Sequence, residues 1–218
     1  MLLGENLTSC LFDIDSLWFS SLFENVHQPW QVLERIQGYI AAFPKDGFEE
    51  YKEGVYVGRD VEIHPSAVIE APCIIGAGSK IRTSAYIRGR VITGENCVIG
   101  NSSEVKNSVL MNRVQLPHYN YAGDSILGNF AHMGAGAICS NLKSDGSDVV
   151  IHSDIETKTG LRKLGAILGD RVEIGCNCVL NPGTVIGKNT SVYPLTSVRG
   201  VIPENSIVKS QGIVVNKL

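Results

Sequence analysis

Several kinds of segment are scarce or missing in this chain, and each gap removes a class of protein. No run of about eighteen apolar residues occurs, so no transmembrane helix is expected. The opening MLLGENLTSCLFDIDSL has neither a basic start nor a small-residue cleavage site. That argues against a signal peptide and for a cytoplasmic protein. Neither sign of charge dominates: 19 basic residues against 22 acidic give a net charge of −3, which leaves no electrostatic footprint for nucleic acid. The six cysteines match neither a disulfide framework nor a CxxC metal site. They are expected to be reduced thiols, most of them at buried repeat positions.

What is present is a chain of 218 residues, 44% hydrophobic, enough for one domain with a small appendage. Both tryptophans fall in the first thirty residues. Leu11, Phe12, Leu17, Trp18, Phe19 and Phe23 make an aromatic-rich stretch there without a clear period. From Pro29 a helix is expected, since proline suits a first turn and Val32, Leu33, Ile36 and Ile40 share one face. It should stop ahead of Pro44. Residues 1–50 are therefore read as a helical and linker segment, packed as a cap over one end of the larger domain.

From Val57 the chain counts in sixes. Val57, Ile63, Ile69, Ile75, Ile81 and Ile87 are six apart, and Ile99, Val105 and Met111 continue the series. A second series of small or β-branched residues (Val61, Ala67, Cys73, Ser79, Ala85, Val91, and on to Cys97, Ser103 and Val109) runs four positions behind. Six is neither a helical period nor a simple strand alternation. Two inward positions per six, one large and one small, fit a short strand and a corner on one face of a three-sided coil, with about eighteen residues per turn. The reading is all-β: a left-handed parallel β-helix of hexapeptide repeats over residues 51–205, with a tail from 206 to 218. Glycines 76, 94, 100, 128, 134, 169, 175 and 187 follow the large position, where a tight corner can demand backbone freedom. The count is interrupted near 112–124 and near 142–164, read as inserted loops; loops on a rigid frame are where chemistry concentrates.

The first interruption carries HYNYAGDSILGNFAHMGAGAICSN, residues 118–141. A loop histidine, His118, is a candidate general base because its ordinary pKa lies near neutrality. Arg88 and Lys106 are eighteen residues apart and should stack. With no carboxylate in register between them, they read as an anion site, most simply for phosphate. Glu104 points outward on the same strand as Lys106, where a carboxylate would fix the tautomer of a nearby imidazole.

The segments GNSSEVKNSVL, LPHYNYAGDSILGNFAHMGAGAICSN and GLRKLGAILGDRVEIGCNCVLNPGTVIG carry a resemblance covering roughly residues 50–205. They resemble the acetyltransferase domain of the bifunctional N-acetylglucosamine-1-phosphate uridyltransferase/glucosamine-1-phosphate N-acetyltransferases, in particular their archaeal sugar-1-phosphate nucleotidylyltransferase relatives. The H-x-x-Y-x-G-D motif followed by G-A-G and asparagine is specific; hexapeptides alone are not. The resemblance implies that His118 deprotonates a sugar amine for attack on the acetyl-CoA thioester, with Glu104 orienting it. It puts Arg88, Lys106 and Tyr121 on the sugar phosphate, the Ala135 backbone N–H on the developing oxyanion, and Asn141 near the acetyl group. His132 stands where the bacterial enzymes have an asparagine that contacts the sugar. Cys176 replaces a serine and Pro194 an alanine in the coenzyme region. Lys143, Lys158, Arg162 and Lys163 are candidates for coenzyme phosphates. Also implied are a homotrimer with sites between chains, no membrane or nucleic-acid partner, and acyl transfer without a metal. No Gly-rich nucleotide-binding half precedes the helix, so nucleotide-sugar synthesis would fall to a separate nucleotidyltransferase.

Two other readings remain open at this level. One is a non-catalytic sugar-phosphate-binding or regulatory β-helix that keeps the pocket without turnover. The other is a zinc β-helix enzyme of the γ-carbonic anhydrase type, which needs three histidines converging at an interface. The five histidines here lack the H-x4-H pair of that family.

Overall fold

The computed structural model describes residues 6–154, 156–210 and 213–217. The six-residue period becomes strands of two to four residues, three to a coil. Each strand pairs in parallel with its counterpart one coil further on. Among the described residues this builds sheets of nine, nine and seven strands, the first two closed at an end by antiparallel strands. The large and small inward positions meet in a continuous column that includes Ile75, Ile87, Ile99, Leu116, Met133, Ile174 and Ile186. Four of the six cysteines (73, 97, 139 and 178) are buried and all six are free thiols.

The first interruption is not an inserted loop. Gln115–His118 and Tyr121–Gly123 are strands of the second and third sheets, with Leu116 opposite Ile99 and Tyr121 opposite Glu104. What breaks the count is one missing residue: Ile81 pairs eighteen positions on with Ile99, but Ile99 pairs seventeen on with Leu116. Side chains alternate along a strand, so a slip of one exchanges the faces. Leu110, rather than the expected Met111, enters the central column, while Val109 and Met111 turn outward. The second interruption is a true excursion. Leu127 pairs with Leu168, and the intervening chain forms the hairpin Val150–Ile151 with Thr157–Lys158, tied at its base by a bridge between Leu142 and Lys163.

The corner glycines also have a different cause from the one expected. Gly76, Gly94, Gly100 and Gly134 do not have positive φ. They are small because the next coil passes over them: a Cβ on Gly100 would run into the Pro117 carbonyl, and one on Gly134 into the backbone of Cys176.

The N-terminal segment lies along a flank, not over an end. Its helix Val32–Ala42 follows a 3-10 turn at Pro29–Gln31. Leu7, Leu11, Phe19, Leu22, Ile36 and Ile40 form a second core with Ile74, Ile92, Val109, Ile126, Ile167 and Val185, the outward side chains of the first sheet. The Trp18 indole N–H donates to the Thr93 carbonyl (3.2 Å), and the Asp13 N–H to the Asp170 carboxylate (2.8 Å). The physical reason is that a sheet face which is itself apolar must be covered. The end is closed by Phe48–Lys52, antiparallel to Val55–Gly58. At the other end Ser206–Val208 continues the second sheet beyond residue 205, and Val214–Asn216 turns back along it. Residues 211, 212 and 218 of the expected tail lie outside the described residues. Among the described residues no helix is long and apolar enough to cross a membrane.

Candidate functional site

The polar side chains singled out by sequence fall into three groups on the prism. The first is a column at the corner between the second and third sheets. Here the carbonyl of each corner residue accepts from an N–H of the next coil: Asn101 from Tyr119 (2.9 Å), His118 from Gly136 (3.0 Å), Ala135 from Asn177 (2.8 Å) and Cys176 from Leu195 (2.9 Å). His118, Ala135, Cys176 and Pro194, which sequence separates by up to 76 positions, therefore stack along one edge. The residue after each corner is left-handed, with φ of 53° at Tyr119, 72° at Gly136 and 61° at Leu195. Among the described residues no acceptor takes the Ala135 N–H and no side chain takes the His118 ring.

The second group covers the outer face of the third sheet. Strand alternation turns Tyr86, Arg88, Glu104, Lys106 and Tyr121 outward while Ile87, Val105 and Ala122 point in. Arg88 donates to Glu104 at 2.7 Å, and the Lys106 ammonium lies 3.5 Å from the Asp124 carboxylate. Two expectations are corrected here. The stacked cations are not free of carboxylates, and Glu104 is bonded to Arg88 instead of to His118. The cause is the register: Glu104 faces Tyr86, so Arg88 is its diagonal neighbour on the same face, whereas the His118 strand belongs to another sheet. The hydrogen bond and charge of Glu104 hold the Arg88 pKa above its ordinary value.

Asp124, part of the motif but given no role by the sequence, is the hub of this group. Its side chain is only 6% exposed, and besides Lys106 it accepts from Asn107 (2.7 Å) and Asn141 (2.6 Å). Asn141 also donates to the Tyr121 hydroxyl at 3.2 Å. Burial, then the negative charges of Asp124 and Glu104, push the Tyr121 pKa up. Tyr121 thus keeps its proton, and with Asn141 as donor its O–H is left to give to a ligand.

The third group is what the fold does not bring to this edge. His132 lies on the second sheet opposite Gln115, its ring 2.9 Å from Glu173, at the far end of the strand from the His118 corner. Lys143 lies in the excursion, bonded to Ser147 (2.6 Å) beside a depression of about 460 Å³ that Asn181, His152 and Arg199 also line. The strand Val179–Leu180 separates that corner from Cys176.

The fold is a parallel β-helix of hexapeptide repeats. A "Bifunctional protein GlmU" of Methanocaldococcus jannaschii is 31% identical over 212 residues, covering 94% of this chain and 52% of that protein. A "Bifunctional sugar-1-phosphate nucleotidylyltransferase/acetyltransferase" of Sulfurisphaera tokodaii is 38% identical over 144 residues, 66% of this chain and 36% of that one. The family model described as the GMPPB C-terminal domain matches residues 69–161. Among solved structures, AntD, an N-acyltransferase from Bacillus cereus in complex with dTDP and 3-hydroxybutyryl-CoA, is similar at 18% identity. It has a TM-score of 0.45 and covers 79% of this chain and 84% of that one. The chain is similar to GlmU-type bifunctional proteins along nearly its whole length, and spans about half the length of the relatives named GlmU that it matches.

Proposed function

We propose that this protein is an acetyl-CoA-dependent N-acetyltransferase acting on an amino-sugar 1-phosphate of the glucosamine-1-phosphate kind, in the cytoplasm. The observation that carries the reading is the corner column: a histidine ring and an Ala135 backbone N–H that have no partner among the described residues, with Cys176 and Pro194 stacked beyond them. In this reading His118 takes a proton from the sugar amine. The amine nitrogen attacks the thioester carbonyl, and the Ala135 N–H meets the oxyanion. The C–S bond then breaks, and coenzyme A leaves as a thiol on receiving the proton that His118 took from the amine. The phosphate is assigned to Arg88, Lys106 and Tyr121, where it joins an existing network of charge-assisted bonds. Lys143 remains a candidate for a coenzyme phosphate.

Two features favour a homotrimer with sites between chains. His132 lies away from the His118 edge, as expected of a side chain serving a neighbour's sugar. Val68, Ile138 and Val179, in line with Tyr86, Glu104 and Tyr121 on the third sheet, are exposed apolar side chains flanking the polar group. A nucleotidyltransferase activity is proposed to use the product.

The test is acetyl-CoA consumption against a panel of amino-sugar 1-phosphates. His118→Ala should lose roughly 100- to 10,000-fold in kcat. Absence of turnover on every sugar, or full activity in the variant, would overturn the mechanism.

A further inference from the structure

The corner between the first and second sheets has one left-handed residue per coil, with φ between 53° and 67°. In the outer coils these are the residues that tolerate such a backbone: Asp60, Gly78, Asn96, Asn189 and Asn205. In three consecutive central coils they are Arg113, Phe130 and Arg171, held by the same ladder of bonds to the preceding coil. Bulky side chains in this conformation are strained, and such strain persists where something other than local stability selects the residue.

These three side chains form one stack. The guanidinium carbons of Arg113 and Arg171 lie 5.6 and 4.5 Å from the Phe130 ring centroid. They are thus no further apart than the sum of those distances. Among the described residues neither guanidinium has a carboxylate partner; the nearby Glu173 is engaged by His132. With Asn96, Gln115 and the His132–Glu173 pair they border an open depression of about 520 Å³. The ring is 40% exposed, so it does not serve the core. Two guanidiniums held in place by one ring present paired donor forks to oxygens of adjacent phosphates, and guanidinium planes also stack on heterocyclic bases.

We propose that this corner binds the nucleoside-diphosphate group of a ligand lying across the second sheet. The same three coils carry His118, Ala135 and Cys176 at their other corner, and the strand Gln115–His118 connects the two. Coenzyme A and a nucleotide-linked sugar both contain the group. The inference goes beyond the proposed reaction, and because it is read by binding, it stands or falls independently of turnover.

The experiment is titration calorimetry on the full chain with UDP, GDP, coenzyme A and inorganic diphosphate, beside melting curves. The variants are Arg113→Asn with Arg171→Asn, and Phe130→Asn, which install the residue the neighbouring coils use. Both should keep or raise Tm. The double arginine variant should weaken nucleoside-diphosphate binding by roughly tenfold or more. Loss of UDP or GDP binding with coenzyme A retained assigns a nucleotide-linked sugar, and the reverse assigns the coenzyme. The proposal is overturned if no probe binds the wild type at millimolar concentration or if the variants bind every probe unchanged. It is equally overturned if they only lower Tm or dissociate the assembly.

Discussion

Asp124 sets the geometry of the third-sheet group without itself being a side chain that sequence would nominate for chemistry. A carboxylate that is nearly buried is tolerable only when it is well bonded, and here Lys106, Asn107 and Asn141 converge on it. Asp124→Asn keeps the shape, removes the charge that fixes Lys106, and turns one acceptor oxygen into a donor that faces either the Asn107 amide or the Asn141 amide and the Lys106 ammonium. The expected result is a stability loss of about 1–3 kcal/mol in denaturant titration. In the acetylation assay it should bring roughly a tenfold fall in kcat/KM for the sugar phosphate. Wild-type values for both would remove Asp124 from the site. The cysteines separate by the same physics of burial. Desolvation raises Cys73, Cys97 and Cys139 to about 12, because the thiolate is the form that burial penalises. At pH 8 these three should therefore stay protonated and inert to a thiol-disulfide reagent, while exposed Cys10 and Cys176 react. Fast modification of all six in the native protein would contradict the packing.

At the scale of the element, two glycines show opposite logic. Gly38 is exposed in the helix Val32–Ala42 and a Cβ there meets nothing within 4 Å. Gly38→Ala should stabilise the chain by about 0.5–1 kcal/mol, visible as a higher melting temperature. Gly100 lies under the Pro117 carbonyl, and Gly100→Ala should cost about 3 kcal/mol, because backbone in the next coil cannot rearrange locally. A shift of Tm in the same direction by both variants would contradict the difference between the two sites. Sequence identified the corner glycines and misassigned their cause: a period shows where a residue recurs, whereas the distance to the next coil exists only once the coils are stacked. The seventeen-residue coils belong to the same category. A count broken at Met111 reads equally as an insertion or a deletion, and only pairing of Leu116 with Ile99 decides for the deletion.

At the scale of the whole molecule, the exposed apolar side chains Val68, Ile138 and Val179 flank the proposed phosphate-binding group on both sides. A trimer would cover them. Sedimentation equilibrium should give three times the chain mass, and Ile138→Glu should shift it towards monomer and lower turnover with it. A wild-type monomer with full activity would show that each prism is sufficient alone. The N-terminal segment answers the same need elsewhere, covering the apolar face of the first sheet with Leu11, Phe19 and Ile36.

The sequence by itself determined the parallel β-helix, its inward residues through most coils, the excursion after residue 141, and the residues of the His118 motif. Each is a local pattern repeated or interrupted along the chain. Only the tertiary structure decided that His118, Ala135, Cys176 and Pro194 share one edge, and that Glu104 bonds Arg88 while Asp124 holds Lys106. It also decided that the N-terminal segment runs along a flank, and that Arg113, Phe130 and Arg171 meet. The reason is the same in each case. These relations depend on how many residues each coil contains, and a change of one or of an inserted hairpin alters which side chains meet without altering the period from which the fold is read.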